Sequence, residues 1–271
     1  MKKLIGFLSS QEPTEQEIPV ARPVRRTTPV KSLVKVRFQC KSIDLAYYND
    51  RFDLQKGDVV YVSGKLAGEP GIVTSVTTKF CIHSNEYERV LALLDLTLHG
   101  TFTRVQDKMV SIDHIAVKPD QFGIWVTPPE DPKKKKDPDE EPDEIITGEG
   151  YAIDIHHIEQ CEDLTEAVAH RAIDYCSNGN VRYLCVQNGV GRAYVEGTKW
   201  YRVDFKLSED GWMTDIFCDC PYPGLCKHEV AVAITLRMLS QQPQLTAVRD
   251  FVALDRFLFW QLSSRTDTIT L

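Results

Sequence analysis

Long apolar runs are missing from this chain. None approaches the ~20 residues that cross a bilayer, and Met1-Lys2-Lys3-Leu4-Ile5-Gly6-Phe7-Leu8 is too short and too soon interrupted for a secretory signal. A soluble, cytoplasmic protein with no membrane partner is expected. Outside one stretch, paired cysteine spacing is missing too: Cys40, Cys81, Cys161, Cys176 and Cys185 stand apart, which argues against a disulfide framework and for reduced, buried thiols. Neither a Gly-rich phosphate loop nor a nucleophile elbow occurs. Asp44, Asp50, Asp53, Asp58, His83, His99 and His114 are scattered without a spacing that forces them together, so a non-enzymatic protein is expected.

An excess of positive charge is also lacking, since the net charge is −7 and residues 148 to 271 carry 11 Lys and Arg against 17 Asp and Glu. A protein that binds by neutralising phosphates usually shows a basic domain or stripe. The acidic second half therefore favours another protein over nucleic acid as the partner.

The length of 271 residues suggests about two domains. Residues 1 to 30 mix Glu, Pro, Thr and Arg with little periodic hydrophobicity and read as a disordered arm, with Arg22, Arg25 and Arg26 in a solvated basic cluster. From 31 to 127 short apolar segments alternate with turn residues. Segments 34–38, 59–62 and 71–76, with others near 89–98, 109–115 and 123–126, are expected to close a small all-β barrel of about six strands. Residues 128 to 149 form a Pro- and charge-rich linker, with five prolines and twelve charges between Pro128 and Thr147.

Residues 150 to 271 are expected to form an α+β domain. Asp163 and Glu166 suggest a capping box for a helix that ends at Gly179, and strands near 182–187, 193–196, 201–206 and 213–218 follow as a meander. A last helix over 245–262 carries Phe251, Val252, Leu254, Phe257, Leu258, Phe259 and Trp260 on more than one face. It is either clamped inside the protein or offers an aromatic patch to another one. His156, His157 and Cys161 fall close together, but two or three potential ligands without a second pair make a poor metal site.

The dense stretch is Phe-Cys-Asp-Cys-Pro-Tyr-Pro-Gly-Leu-Cys-Lys-His-Glu-Val at 217–230, with Cys218, Cys220, Cys226 and His228 spaced C-x-C-x5-C-x-H. In an extended segment Cys218 and Cys220 point to the same side. Pro221, Pro223 and Gly224 then turn the chain, and a helix predicted from about 227 to 239 begins as Cys226 and His228 arrive. Three thiolates and an imidazole are the ligand set of a closed, structural Zn2+ site, one ion per chain, with no place for water or substrate.

This pattern resembles the SWIM-type zinc finger, C-x-C-x(n)-C-x-H. The likeness includes the Cys-Lys-His that opens an apolar helix, and it extends over about 164–239 through a helix, a Gly turn and a meander containing Val195 to Val203. SWIM modules are assigned to DNA binding or protein contacts in recombination, transposition, chromatin and ubiquitin-transfer proteins. The resemblance implies an adaptor that makes protein contacts within a DNA-processing assembly. The alternative is a nucleic-acid-binding protein that uses barrel and finger together, with Tyr47, Tyr48, Tyr61 and Phe80 stacking on bases.

Overall fold

The computed structural model describes residues 15–18, 28–41, 43–83, 86–112, 116–133, 150–242 and 250–266. In chain order the strands and helices are β1 (Glu15–Ile18), β2 (Ser32–Phe38), β3 (Leu45–Asn49), β4 (Val59–Val62), β5 (Gly71–Thr77), β6 (Val90–Leu94), β7 (Gly100–Val105), β8 (Lys108–Ser111) and α1 (Pro119–Val126). There follow β9 (Ile153–Asp154), a 3-10 turn (Ile158–Gln160), α2 (Glu166–Ser177), β10 (Val181–Gln187), β11 (Val190–Glu196), β12 (Trp200–Leu207), β13 (Trp212–Cys218), α3 (Lys227–Ser240), β14 (Phe251–Asp255) and α4 (Arg256–Thr266). The protein is mixed α/β, with two antiparallel sheets.

The smaller sheet runs β3-β2-β5-β4-β6. Val34, Val36, Phe38, Val60, Val62 and Val73 form its core. The expected barrel is corrected here: the ladder does not close, and among the described residues only an isolated parallel bridge joins Tyr48 of β3 to Arg89, just before β6. Two of the segments meant to complete it went elsewhere. Segment 123–126 is helical because Pro119 starts a helix at its first turn, where a missing N–H does no harm. Segment 109–115 supplies part of β8, which pairs with β14 from the far end of the chain.

The larger sheet runs β1-β7-β8-β14-β10-β11-β12-β13-β9. Strands β10 to β13 are the expected meander, joined at its first corner by Asn188 and Gly189 with φ of 51° and 73°, the left-handed pair that suits a two-residue hairpin. Both faces are covered over the central strands β8, β14 and β10, while β12 and β13 alternate buried and more exposed residues. On one, α2 and α3 pack Val168, Ala172, Val230, Ala233 and Leu236 against Leu184, Val186, Ala193, Val203 and Phe205. On the other, Phe122 of α1 and Leu258, Phe259 and Leu262 of α4 pack against Tyr183, Cys185, Tyr194, Val252 and Leu254.

Burial on both faces explains another correction. Phe251–Asp255, which the expected helix over 245–262 included, is a strand whose five residues are all buried, and 245–249 lie outside the described residues. A continuous apolar run lacks the alternation that marks a half-exposed strand, so its periodicity cannot tell it from a buried helix. The helix begins at Arg256, where Asp255 Oδ1 accepts the N–H groups of Phe257 at 2.8 Å and Leu258 at 3.2 Å. At α2 the cap is Thr165, whose side chain accepts from Val168 N–H, rather than Asp163.

Sheet membership changes between β6 and β7, well before the expected boundary at 127. Helix α1 touches both sheets: Phe122 packs on the larger one, while Ile124 and Trp125 meet Tyr61, Ala92 and Leu94 of the smaller. The stretch after α1 is anchored as well, since Asp131 Oδ2 accepts Gly64 N–H at 2.6 Å and Lys133 Nζ lies 2.9 Å from Glu88. The expected linker beyond 133 falls outside the described residues, as does most of the expected arm, of which Glu15–Ile18 pairs with β7.

These pairings predict the outcome of cleavage. A single protease nick engineered between 134 and 149 is expected to leave the two pieces associated through β8, β14 and α1 in native size-exclusion chromatography. Separation of the pieces without denaturant would contradict that arrangement.

Candidate metal centre

Strand β13 and helix α3 build the centre between them. Strand β13 delivers Cys218 at its end, in register with Val203 of β12, and the segment to Leu225 returns the chain to the start of α3. Cys226 is the N-cap of α3. Its Sγ accepts from Glu229 N–H at 3.5 Å, and Glu229 Oε2 accepts Cys226 N–H at 2.7 Å, a reciprocal capping box. The positive end of the helix dipole favours a thiolate at this cap, but although the Cys218 contact also lowers the Cys226 thiol, its bond to Cys220 and its burial push it up on balance.

The structure brings together the four residues expected from their spacing. Ligand atoms of Cys218, Cys220, Cys226 and His228 all lie within 4.8 Å of one another, an arrangement that can hold a metal ion. His228 Nδ1 lies 3.7 Å from the sulfurs of both Cys218 and Cys226, so this nitrogen faces the cluster. Hydrogen bonding among the sulfurs perturbs them in opposite directions. Hydrogen bonds with Cys218 and then Cys226 hold Cys220 well below the ordinary thiol range, while Cys218 is pushed up, first by its bond to Cys220. Burial raises the Glu229 carboxyl, which the Cys226 N–H only partly offsets.

Several residues around the centre were not visible in the ligand spacing. Tyr201 of β12 lies flat on the His228 ring, with centroids 4.2 Å apart and planes at 20°, and Tyr175 of α2 approaches it edge-on at 5.4 Å. These tyrosines come from distant elements, and no local pattern announces them. Glu229 could have been found, because it stands three residues after Cys226 in capping-box spacing.

Other candidates do not join a ligand cluster among the described residues. His157 Nδ1 lies 2.8 Å from Asp154 Oδ2, and the Cys161 thiol faces the Ala152 carbonyl. Asp44 is engaged by Arg37 and Thr74, Asp50 by Arg89, and Asp58 accepts Gln55 N–H. His114 lies outside the described residues.

A cleft of about 430 Å³ runs between α1 and the β11–β12 face, walled by Ile124, Tyr194 and Trp200 with Arg192 and Arg202 beside them. Its cations are already matched. Arg192 lies 2.6 Å from Asp204 and 3.1 Å from Asp120, and Arg202 lies 3.1 Å from the same Asp204.

Comparison of the chain with protein-family models, with curated proteins and with solved structures gave no match.

Proposed function

We propose that Cys218, Cys220, Cys226 and His228 hold one structural Zn2+, and that the chain is a non-enzymatic, SWIM-like adaptor making contacts with another protein in a DNA-processing assembly. The observation that carries the zinc reading is the pair of sulfur-to-Nδ1 separations of 3.7 Å. Bonds of about 2.3 Å to sulfur and about 2.05 Å to nitrogen at tetrahedral angles give an edge of about 3.6 Å. The donor set also suits Zn2+, a borderline-soft ion served by thiolate and imidazole.

Four side chains would fill the tetrahedral shell and leave no position for a water or substrate. The ion's contribution is then mechanical: it ties the end of β13 to the first turn of α3. The residues of the chain do the rest, since Cys226 caps the helix it starts and Glu229 covers the cap's own N–H.

Two features support a protein partner over nucleic acid. Of the four aromatics expected to stack on bases, Tyr47, Tyr48 and Tyr61 are buried and Phe80 is half-buried edge-on to Tyr48, and the guanidinium groups beside the cleft are paired with aspartates. By contrast Phe257 and Trp260, one turn apart on α4, are 63% and 66% exposed. Exposed aromatics so placed suit the centre of a protein contact.

Metal analysis of the full chain, purified reduced and without added zinc, is expected to find about one Zn2+ per chain, and less than about 0.2 would sink the zinc reading. The partner retained by the same protein should survive nuclease treatment and be lost on Trp260→Ser. Loss of the partner on nuclease treatment would favour nucleic acid instead.

A further inference from the structure

The geometry points to Tyr201 and Tyr175 as positioning residues that clamp the His228 ring in its metal-binding orientation, a role that rests on the zinc reading above. With Nδ1 facing the sulfurs, a neutral imidazole carries its proton on Nε2. Metal-ligating histidines almost always donate that N–H to a carboxylate, carbonyl or water, which fixes the ring. Here His228 Nε2 is buried and has no hydrogen-bond partner among the described residues. Among the described residues no protein group supplies that support.

Aromatic faces take its place. Tyr201, 8% exposed, stacks on the imidazole at 4.2 Å and blocks rotation out of the plane, while Tyr175 meets it at 66° from another side. Both tyrosines are held in turn. The Tyr201 hydroxyl lies 2.9 Å from Thr198 Oγ1, and Lys227 Nζ sits 4.4 Å from the centre of the Tyr175 ring. Ring shape rather than a hydrogen-bond acceptor thus sets the direction of Nδ1.

The test uses the full chain loaded with Co2+ in place of Zn2+, so that the thiolate charge-transfer and d–d bands report the centre directly, with affinity read by chelator competition. Tyr201→Leu is expected to weaken binding by about tenfold or more, and Tyr201→Phe, which keeps the ring, by less than about threefold. On a His228→Cys background, where no imidazole needs orienting, Tyr201→Leu should change affinity little. That missing effect is the double-mutant signature of a clamp rather than of general packing.

An equal loss in both backgrounds would overturn the clamp, and so would a Tyr201→Leu protein that binds as tightly as the parent while the parent takes up one Co2+. A parent that takes up no Co2+ would overturn the zinc reading itself. If Tyr201→Leu does not fold, the half-buried Tyr175→Leu carries the same cycle, with a smaller loss expected from an edge contact.

Discussion

Cys226→Ala in the full chain is expected to abolish metal retention and lower stability by several kcal/mol, with the loss centred on α3. Structural zinc contributes about 10–16 kcal/mol of apparent binding energy in isolated fingers. Here part of that is expected to be masked, because α3 also buries Val230, Ala231, Val232, Ala233, Leu236 and Leu239 in the main core. Alanine at 226 removes a ligand and the N-cap together, and the cap alone is worth about 1 kcal/mol. Cys220→Ala, which loses a ligand without touching the cap, should therefore cost less.

Hydrogen exchange should locate the damage. Amides early in α3 and at the end of β13 are expected to lose protection first on chelation, followed by β10 to β12, whose inward residues share the α3 core. Val34, Val36, Val60 and Val73 belong to a separate cluster and should stay protected. Unchanged α3 protection in metal-stripped protein would mean that the centre does not hold the fold.

Phe122→Ala is expected to be nearly as damaging, although it lies far from the centre in sequence. Phe122 is fully buried, stacks on Tyr183 at 4.5 Å and touches Tyr194, Trp125 and Trp200 at 5.0, 5.3 and 5.8 Å. Truncating such a phenylalanine costs about 3–5 kcal/mol, and ring pairs add to the burial term. For a chain of this size that is a fall of roughly 10 °C in Tm.

The pattern of loss matters as much as its size. Because α1 also seats Ile124 and Trp125 against Tyr61, Ala92 and Leu94, both sheets should lose protection in Phe122→Ala, unlike the metal-centre variant. A change in Tm below about 2 °C would mean that α1 is not the joint between the sheets.

What could be read from the sequence was what is local. Cys218, Cys220, Cys226 and His228 lie within eleven residues, and the turn and helix start follow from Pro221, Pro223 and Gly224 with no help from distant chain. Strands β2, β4 and β5 and the meander β10 to β13 were legible for a similar reason: each run is bounded by turn residues, and hairpin neighbours are adjacent in sequence.

Tertiary structure alone decided the rest. The pairing of β8 with β14 joins the middle of the chain to its last strand, and whether the short strands close a barrel or divide between two sheets depends on such long-range partners. Burial from both sides turned Phe251–Asp255 into a strand that has no alternating signature. The same holds at the metal centre. Spacing names four candidate ligands because a chain segment constrains its own geometry, but Tyr201 and Tyr175, which pack against the His228 ring, reach it only after sheet and helices have packed.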